Sequence, residues 1–287
     1  MAYTNFIPTV WAEGIERELE RLCVFAEDCN RKYEGKVKEK GESVKILGVG
    51  KPTIRELERS GASGDITGPE EVEDTSIFLP INKINYFNYM VGDIDKAQAT
   101  NGIMAALQAE TSEGLANKMD KYIASFAAKT EAIKAFAATK KVVSGTAGEG
   151  TINILEAIDE AIQMLQENDV SNSTKVVMTV TPRFYKLFRR DYASKDTDNS
   201  DILKNGYVGK YGNIFVKLSN NVAKSSNGAE DYIMVRTQRA IAFVNPMTHV
   251  EAYRPEKKFA DAVKGFILYD GKIVRPKEMV ILNVKYA

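Results

Sequence analysis

Apolar residues first recur at helical spacing from Trp11: Trp11, Ile15, Leu19, Leu22 and Phe25/Ala26 fall on one side, Glu and Arg on the other. That pattern predicts an amphipathic helix over residues 10–33. The first ten residues lie outside it and carry Phe6, Ile7 and Val10, an extended apolar arm with no evident home on its own subunit, which leaves local packing and contact with a neighbour as its two alternatives. The period then shortens to two. SVKILGV (43–49) alternates at Val44 and Ile46, and TSIFLPINKINYFNYMV (75–91) at Ile77, Leu79, Ile81 and then Ile84, Tyr86, Asn88 and Met90. Pro80 has no N–H for a ladder, so its run suits an edge or a protruding ribbon. Between the runs lies ELERSGASGDITGPEEVED, rich in glycine and charge and too poor in apolar groups to fold onto a core. Together they read as a long β-hairpin, and loops of that length inside a domain are usually functional.

Helical spacing returns from Asp93 to about Ala138, where Ile103, Leu107, Leu115, Met119, Tyr122/Ile123 and Phe126 mark one stripe. A helix of about 40 residues would be a rod of about 60 Å. SGTAGEG (144–150) breaks the pattern, and Thr151 is placed to cap a helix burying Ile154/Leu155, Ile158, Ile162 and Leu165. TKVVMTV has the unbroken apolar character of a strand buried on both faces. Thr181-Pro182 opens a further helix, with Phe184, Leu187 and Phe188 on one face and Arg183, Lys186, Arg189 and Arg190 on the other. After a polar stretch broken by NIFVKLS, the chain turns β-rich: YIMVRT, AIAFVN, THVEAY, AVKGFILYDGKIVRP and MVILNVKY. Asp270-Gly271 in LYDGKIV predicts a tight hairpin turn.

Chemistry adds little to this pattern. The 287 residues carry 39 basic and 39 acidic side chains, so no global field draws the chain to nucleic acid or anionic membrane. Cys23 and Cys29 have neither a metal nor a redox spacing, and two cysteines in this length predict a reducing compartment. No apolar run approaches the roughly 20 residues of a membrane span, and the N-terminal residues lack the pattern of a signal peptide. KILGVGKPTI (45–54) invites comparison with a phosphate-binding loop. Its first-glycine position falls on Lys45, however, and Pro52 follows Lys51 where a Ser or Thr is required. The sole histidine, His249, has no catalytic partner at a recognisable spacing. Asp93 and Asp95 sit where an N-cap and a first helical turn favour carboxylates. The sequence thus predicts no catalytic, cofactor-binding or metal site.

FIPTVW (6–11), NRKYEG (30–35), GESVKILGVG (41–50), YFNYMVGDIDKAQA (86–99) and RPEKKFADAVKGFILYDGKIVRP (254–276) together resemble, in order along the chain, the major capsid proteins of tailed bacteriophages and prophages. The resemblance implies an α+β, Hong Kong 97-type capsid fold. Its parts would be an N-terminal arm and helix at 1–33, an extended β-hairpin loop at 34–91, a peripheral domain with a long spine helix at 92–144 and 249–287, and an axial domain at 145–248.

It also implies a coat protein that assembles as pentamers and hexamers into an icosahedral head around double-stranded DNA held without sequence specificity. Scaffolding and portal proteins are expected partners, membranes are not, and assembly is expected in the host bacterial cytoplasm. The residues expected at contacts between subunits are Phe6, Ile7 and Trp11 of the arm, Pro52 and acidic Glu70, Glu71, Glu73 and Asp74 of the hairpin, and Arg183, Arg189 and Arg190 as their basic counterpart. Two rival readings are a bacterial encapsulin-like compartment that encloses cargo enzymes, and a nucleotide-binding enzyme built on Gly50-Lys51.

Overall fold

The computed structural model describes residues 23–34, 43–49, 53–54, 74–92, 103–128, 133–136, 140–193 and 209–287. Within them the chain forms two main sheets and one two-stranded ribbon. The ribbon pairs β1 (Ser43–Val49) with β2 (Asp74–Pro80), antiparallel over its whole length. The run read from the sequence as one alternation is interrupted at Ile81-Asn82, and β3 (Lys83–Gly92) belongs to a different sheet. There it lies beside β12 (Ala260–Ile273), which in turn pairs with β11 (Ile241–Tyr253).

Across the inner face of this three-stranded sheet runs α1 (Ile103–Ala124), extended by a single 3-10 turn, Ser125–Ala128. Leu115, Met119, Ile123 and Phe126 form the stripe that packs with Phe87, Tyr89, Val250, Val263 and Ile267. The helix is shorter at its C-terminal end than its pattern suggested. After the 3-10 turn, Ile133–Phe136 forms a short strand, β4, parallel to the last strand of the chain. At 22 residues α1 is about 33 Å long, and Asp93 and Asp95 fall outside the described residues.

The larger sheet has eight strands. β5 (Lys141–Val143), β6 (Thr151–Asn153), β7 (Val176–Val180), β8 (Lys210–Tyr211), β9 (Ile214–Leu218), β10 (Glu230–Thr237) and β13 (Met279–Tyr286) follow the order β6-β5-β13-β10-β7-β9-β8, with β4 also pairing β13. The strand Met279–Tyr286, grouped with the peripheral part in the sequence reading, is therefore central to this sheet, flanked by β10 and by β4 and β5.

Helices α2 (Ile154–Glu167) and α3 (Pro182–Ala193) bury Ile154, Ile158, Leu165, Phe184 and Phe188 in a core shared with Val176, Met178, Ile233 and Leu282. Each such side chain contributes about 1.5–3 kcal/mol. Asn153, not Thr151, caps α2, its Oδ1 accepting the Leu155 N–H at 2.7 Å. Thr151 closes a turn with Gly148 instead. Thr181 does start α3, accepting from Tyr185 N–H through its carbonyl at 2.9 Å.

Two readings are corrected within the core. Residues 23–33 form turns rather than the end of a helix, because the body supplies partners that a helix would use internally. Asp120 on α1 accepts the N–H groups of Val24, Phe25 and Ala26 at 2.8, 3.0 and 3.3 Å. Fully buried Arg236 donates to the carbonyls of Phe25 and Asp28. Asn30 then bridges alongside β11, its N–H bonding the Ile241 carbonyl at 2.8 Å.

Second, Asp270-Gly271 is not a turn. It lies mid-strand in β12, opposite Val244 and Phe243, because the buried Asp270 carboxylate finds donors elsewhere: Tyr122 O–H at 2.5 Å, Asn82 N–H at 3.1 Å and Gly271 N–H at 2.7 Å. Gly271 makes room for the Phe126 ring, which would lie 3.3 Å from a Cβ there. The irregularity is on the partner strand instead, where Asn245-Pro246 is accommodated as a bulge between Val244 and Met247.

Candidate interaction surfaces

β3 alternates as the sequence suggested, but its direction is set by α1. Phe87, Tyr89 and Val91 turn inward, so Ile84, Tyr86 and Met90 turn out and stand 60%, 80% and 50% exposed. Tyr86 lies opposite Phe266, which lies opposite His249, and the His249 and Phe266 rings are 5.6 Å apart. Ile84 lies opposite Leu268. The outer face of the three-stranded sheet therefore presents an apolar and aromatic band. Its far end is the β11–β12 turn, where Phe259 is 88% exposed and Lys258 reaches back to the Met90 sulfur at 3.9 Å. Beneath the sheet Phe87 fits over Gly265, where a Cβ would come within 2.6 Å of the ring.

The ribbon is rooted on its own subunit. Val44, Ile46, Leu79 and Ile81 pack with Ala242 and Val244, and Lys272 donates to the Phe78 carbonyl at 3.2 Å. Its other face carries Lys45 and Phe78, both exposed, with the ammonium 5.8 Å from the ring centre. β1 ends at Val49, and Thr53 and Ile54 lie in no helix or strand; Ile54 is almost fully exposed.

On α3, Arg183, Arg189 and Arg190 are all exposed. Arg183 stacks on Tyr286 at 4.2 Å, and Arg190 bonds the Ser144 hydroxyl. Behind Arg183 sits a closed polar cluster: Thr181 and Tyr286 both donate to buried Asp231, at 2.8 and 2.6 Å. Burial and that carboxylate push the Tyr286 hydroxyl well above the ordinary tyrosine range, which keeps it a neutral donor. At the far edge of the sheet on β8, Tyr211 packs against Phe188 and Tyr192 of α3, and its hydroxyl is pushed up to about 12 by burial and by Asp159.

Of the residues expected at contacts, Phe6, Ile7, Trp11, Pro52, Glu70, Glu71 and Glu73 lie outside the described residues, as does Gly50-Lys51. Asp74 begins β2 opposite Val49. The surface that sequence reasoning missed is the band on β3. Its signal was present in the break at Ile81-Asn82 after Pro80, which separates two strands and frees the second to take its own facing. Among the described residues no group of His, Cys, Asp and Glu is arranged to hold a metal, and no helix is long and apolar enough to cross a membrane.

No protein-family model and no curated protein matches the chain. Solved structures do. A protein of Mycobacterium phage Che8 is 26% identical with a TM-score of 0.69, covering 91% of this chain and 90% of that one. The capsid structure of Cyanophage P-SCSP1u gives 15% identity and 0.68 over 92% and 89%. A virus-like particle from Pyrococcus furiosus gives 12% identity and 0.57 over 96% and 98%. Phage structures dominate these neighbours.

Proposed function

We propose that this chain, which has the phage major capsid protein fold, is the repeating subunit of a phage head. Copies join as pentamers and hexamers into an icosahedral shell around double-stranded DNA, in the host cytoplasm, together with scaffolding and portal proteins. The observation that carries this reading is the agreement with the Che8 phage structure over nine-tenths of both chains. The outward apolar band on β3 adds to it, since a patch of that character is ordinarily covered by a partner.

In the Hong Kong 97-type division, α1 and the three-stranded sheet correspond to the peripheral part and carry the spine helix. The axial part expected at 145–248 would comprise α2, α3 and strands β6 to β10, in a sheet completed by β4, β5 and β13 from outside that range. Of the arm expected at 1–33 and the loop expected at 34–91, only the parts that this body does not hold would reach a neighbour: Val24–Asn30 bonds Asp120, Arg236 and Ile241, and β3 lies in the three-stranded sheet. Contacts of this kind generate rings where the rotation closes. Each contact need only be weak, because a subunit already held by one neighbour meets the next at high effective concentration. The work is done by contacts, not catalysis.

A second reading has its own support. The Pyrococcus virus-like particle matches this fold over nearly the whole of both chains, which supports an encapsulin-like shell that would enclose cargo enzymes as the alternative. Electron microscopy of the purified chain, expressed with and without neighbouring phage genes, tests the proposal. Closed shells are expected, and nuclease-protected DNA inside them when packaging genes are present. Shells that hold protein and never DNA would favour the compartment, and a monomer at every concentration would overturn both.

A further inference from the structure

Where β7 passes into α3, a cavity of about 270 Å³ opens between that helix and the stretch that leads into β10; its wall includes Arg183, Asn220, Lys224, Asp231 and Tyr286. The wall is built outward from a buried charge. Asp231 is 6% exposed and accepts the hydroxyls of Thr181 at 2.8 Å and Tyr286 at 2.6 Å. Those bonds hold the Tyr286 ring, and the Arg183 guanidinium lies over it, 4.2 Å from the ring centre. A guanidinium donates in its own plane, so stacking sets the direction of its N–H groups without using any of them. Within the protein Arg183 has no hydrogen-bond acceptor and no carboxylate partner, and neither the Lys224 ammonium nor the Asn220 amide has one. Three donor groups thus border one cavity with nothing to donate to.

We propose that this cavity binds a phosphate group, held by Arg183, Lys224 and Asn220. Among the described residues its charged lining is Arg183, Lys224 and Asp231. The single carboxylate already accepts from two hydroxyls, which leaves the two cations unmatched. Glu230, next along β10, lies on the opposite face of the strand. A carboxylate ligand offers two oxygens in one plane, which a lone guanidinium satisfies. Donors on three separate side chains suit a tetrahedral anion with an oxygen for each. Two positive charges disfavour a cation here, and unpaired donors disfavour an apolar ligand. The phosphate could come from free phosphate or from the backbone of enclosed DNA; only the second source rests on the assembly reading above.

Titration calorimetry on the full chain at fixed ionic strength tests the site, with inorganic phosphate as one probe and a short DNA duplex as the other. Phosphate should bind saturably, and Arg183→Gln and Lys224→Gln should each weaken it about tenfold or more, since each removes a charge-assisted hydrogen bond. Both side chains are exposed, so the thermal midpoint should stay with the parent's. Lys186→Gln removes an exposed cation of the same helix outside the lining and should leave the affinity within about twofold. Duplex binding that is lost in the same two variants assigns the site to DNA. Phosphate binding without duplex binding assigns it to the free ion. If neither probe binds, if the two variants bind like the parent, or if Lys186→Gln costs as much as they do, the site is overturned and the shell reading stands. Failure to form shells overturns that reading and leaves the phosphate result untouched.

Discussion

At Gly265 the chain has room for a hydrogen atom and nothing larger. A Cβ would sit 2.6 Å from the His249 carbonyl oxygen on the adjacent strand and 2.6 Å from the Phe87 ring. The ring can turn aside, but the carbonyl belongs to the β11–β12 ladder and cannot. Gly265→Ala is therefore expected to destabilise the fold by about 1–3 kcal/mol, read as a lower denaturant midpoint with unchanged slope. Adding Phe87→Ala should not restore it, since the backbone clash remains.

Asp120 gives a second expectation at this scale. Burial raises its carboxyl pKa, opposed but not overcome by the Val24, Phe25 and Ala26 N–H groups and the Arg236 charge. A carboxyl with a raised folded pKa binds its proton more tightly folded than unfolded. Its contribution is therefore most favourable at low pH and declines as pH rises from the ordinary value of 3.8 through the raised one. Asp120→Asn should remove that decline, so thermal midpoints of the parent and the variant, followed upward from about pH 3.5, should shift relative to each other in the variant's favour. A constant difference across the window would refute it. Glu278 has the opposite sign: burial works against its charge, yet Thr237, Arg275 and Arg239 hold it below the ordinary range, so its contribution is lost as pH falls.

Among the elements, those set by neighbours in sequence were legible in the sequence. Val176–Val180 is buried at every position, as an unbroken apolar run demands, and Thr181-Pro182 opens α3 where the cap signature stands. The ribbon of β1 and β2 pairs as its alternation suggested. Misreadings arose where a distant partner overrode a local signal. Asp270-Gly271 has the chemistry of a turn, but Tyr122, 148 residues away, donates to its carboxylate and keeps the pair in a strand. Trp11 to Ala26 has helical spacing, yet residues 23–33 are drawn into turns by Asp120 and by Arg236, more than 200 positions later. The period of β3 was visible but its facing was not, because only packing against α1 decides which alternate set is covered. The acidic and arm residues expected at contacts, Asp74 apart, lie outside the described residues, so that part of the surface is proposed from charge and pattern alone.

For the whole molecule, the balance of 39 cations and 39 anions conceals a local asymmetry. Residues 55–74 are strongly acidic, while α3 presents Arg183, Arg189 and Arg190. Arg183 and Arg190 already touch Tyr286 and Ser144, and neither of those two contacts neutralises a charge. Exposed pairs contribute only about 0–1 kcal/mol each, and a shell multiplies that by every copy. The double variant Glu70→Lys/Glu71→Lys is expected to reduce shell yield in sedimentation while leaving the subunit's thermal midpoint in place. Normal yield would discard the contact.

The position of β13 also imposes an order of events on synthesis. Met279–Tyr286 lies between β10 on one side and β4 and β5 on the other, and 41 residues separate Thr237 from Met279. Until that stretch has left the ribosome, the two halves of the large sheet have no strand to join them. A nascent or prematurely terminated chain then exposes two open flanks in place of one sealed body.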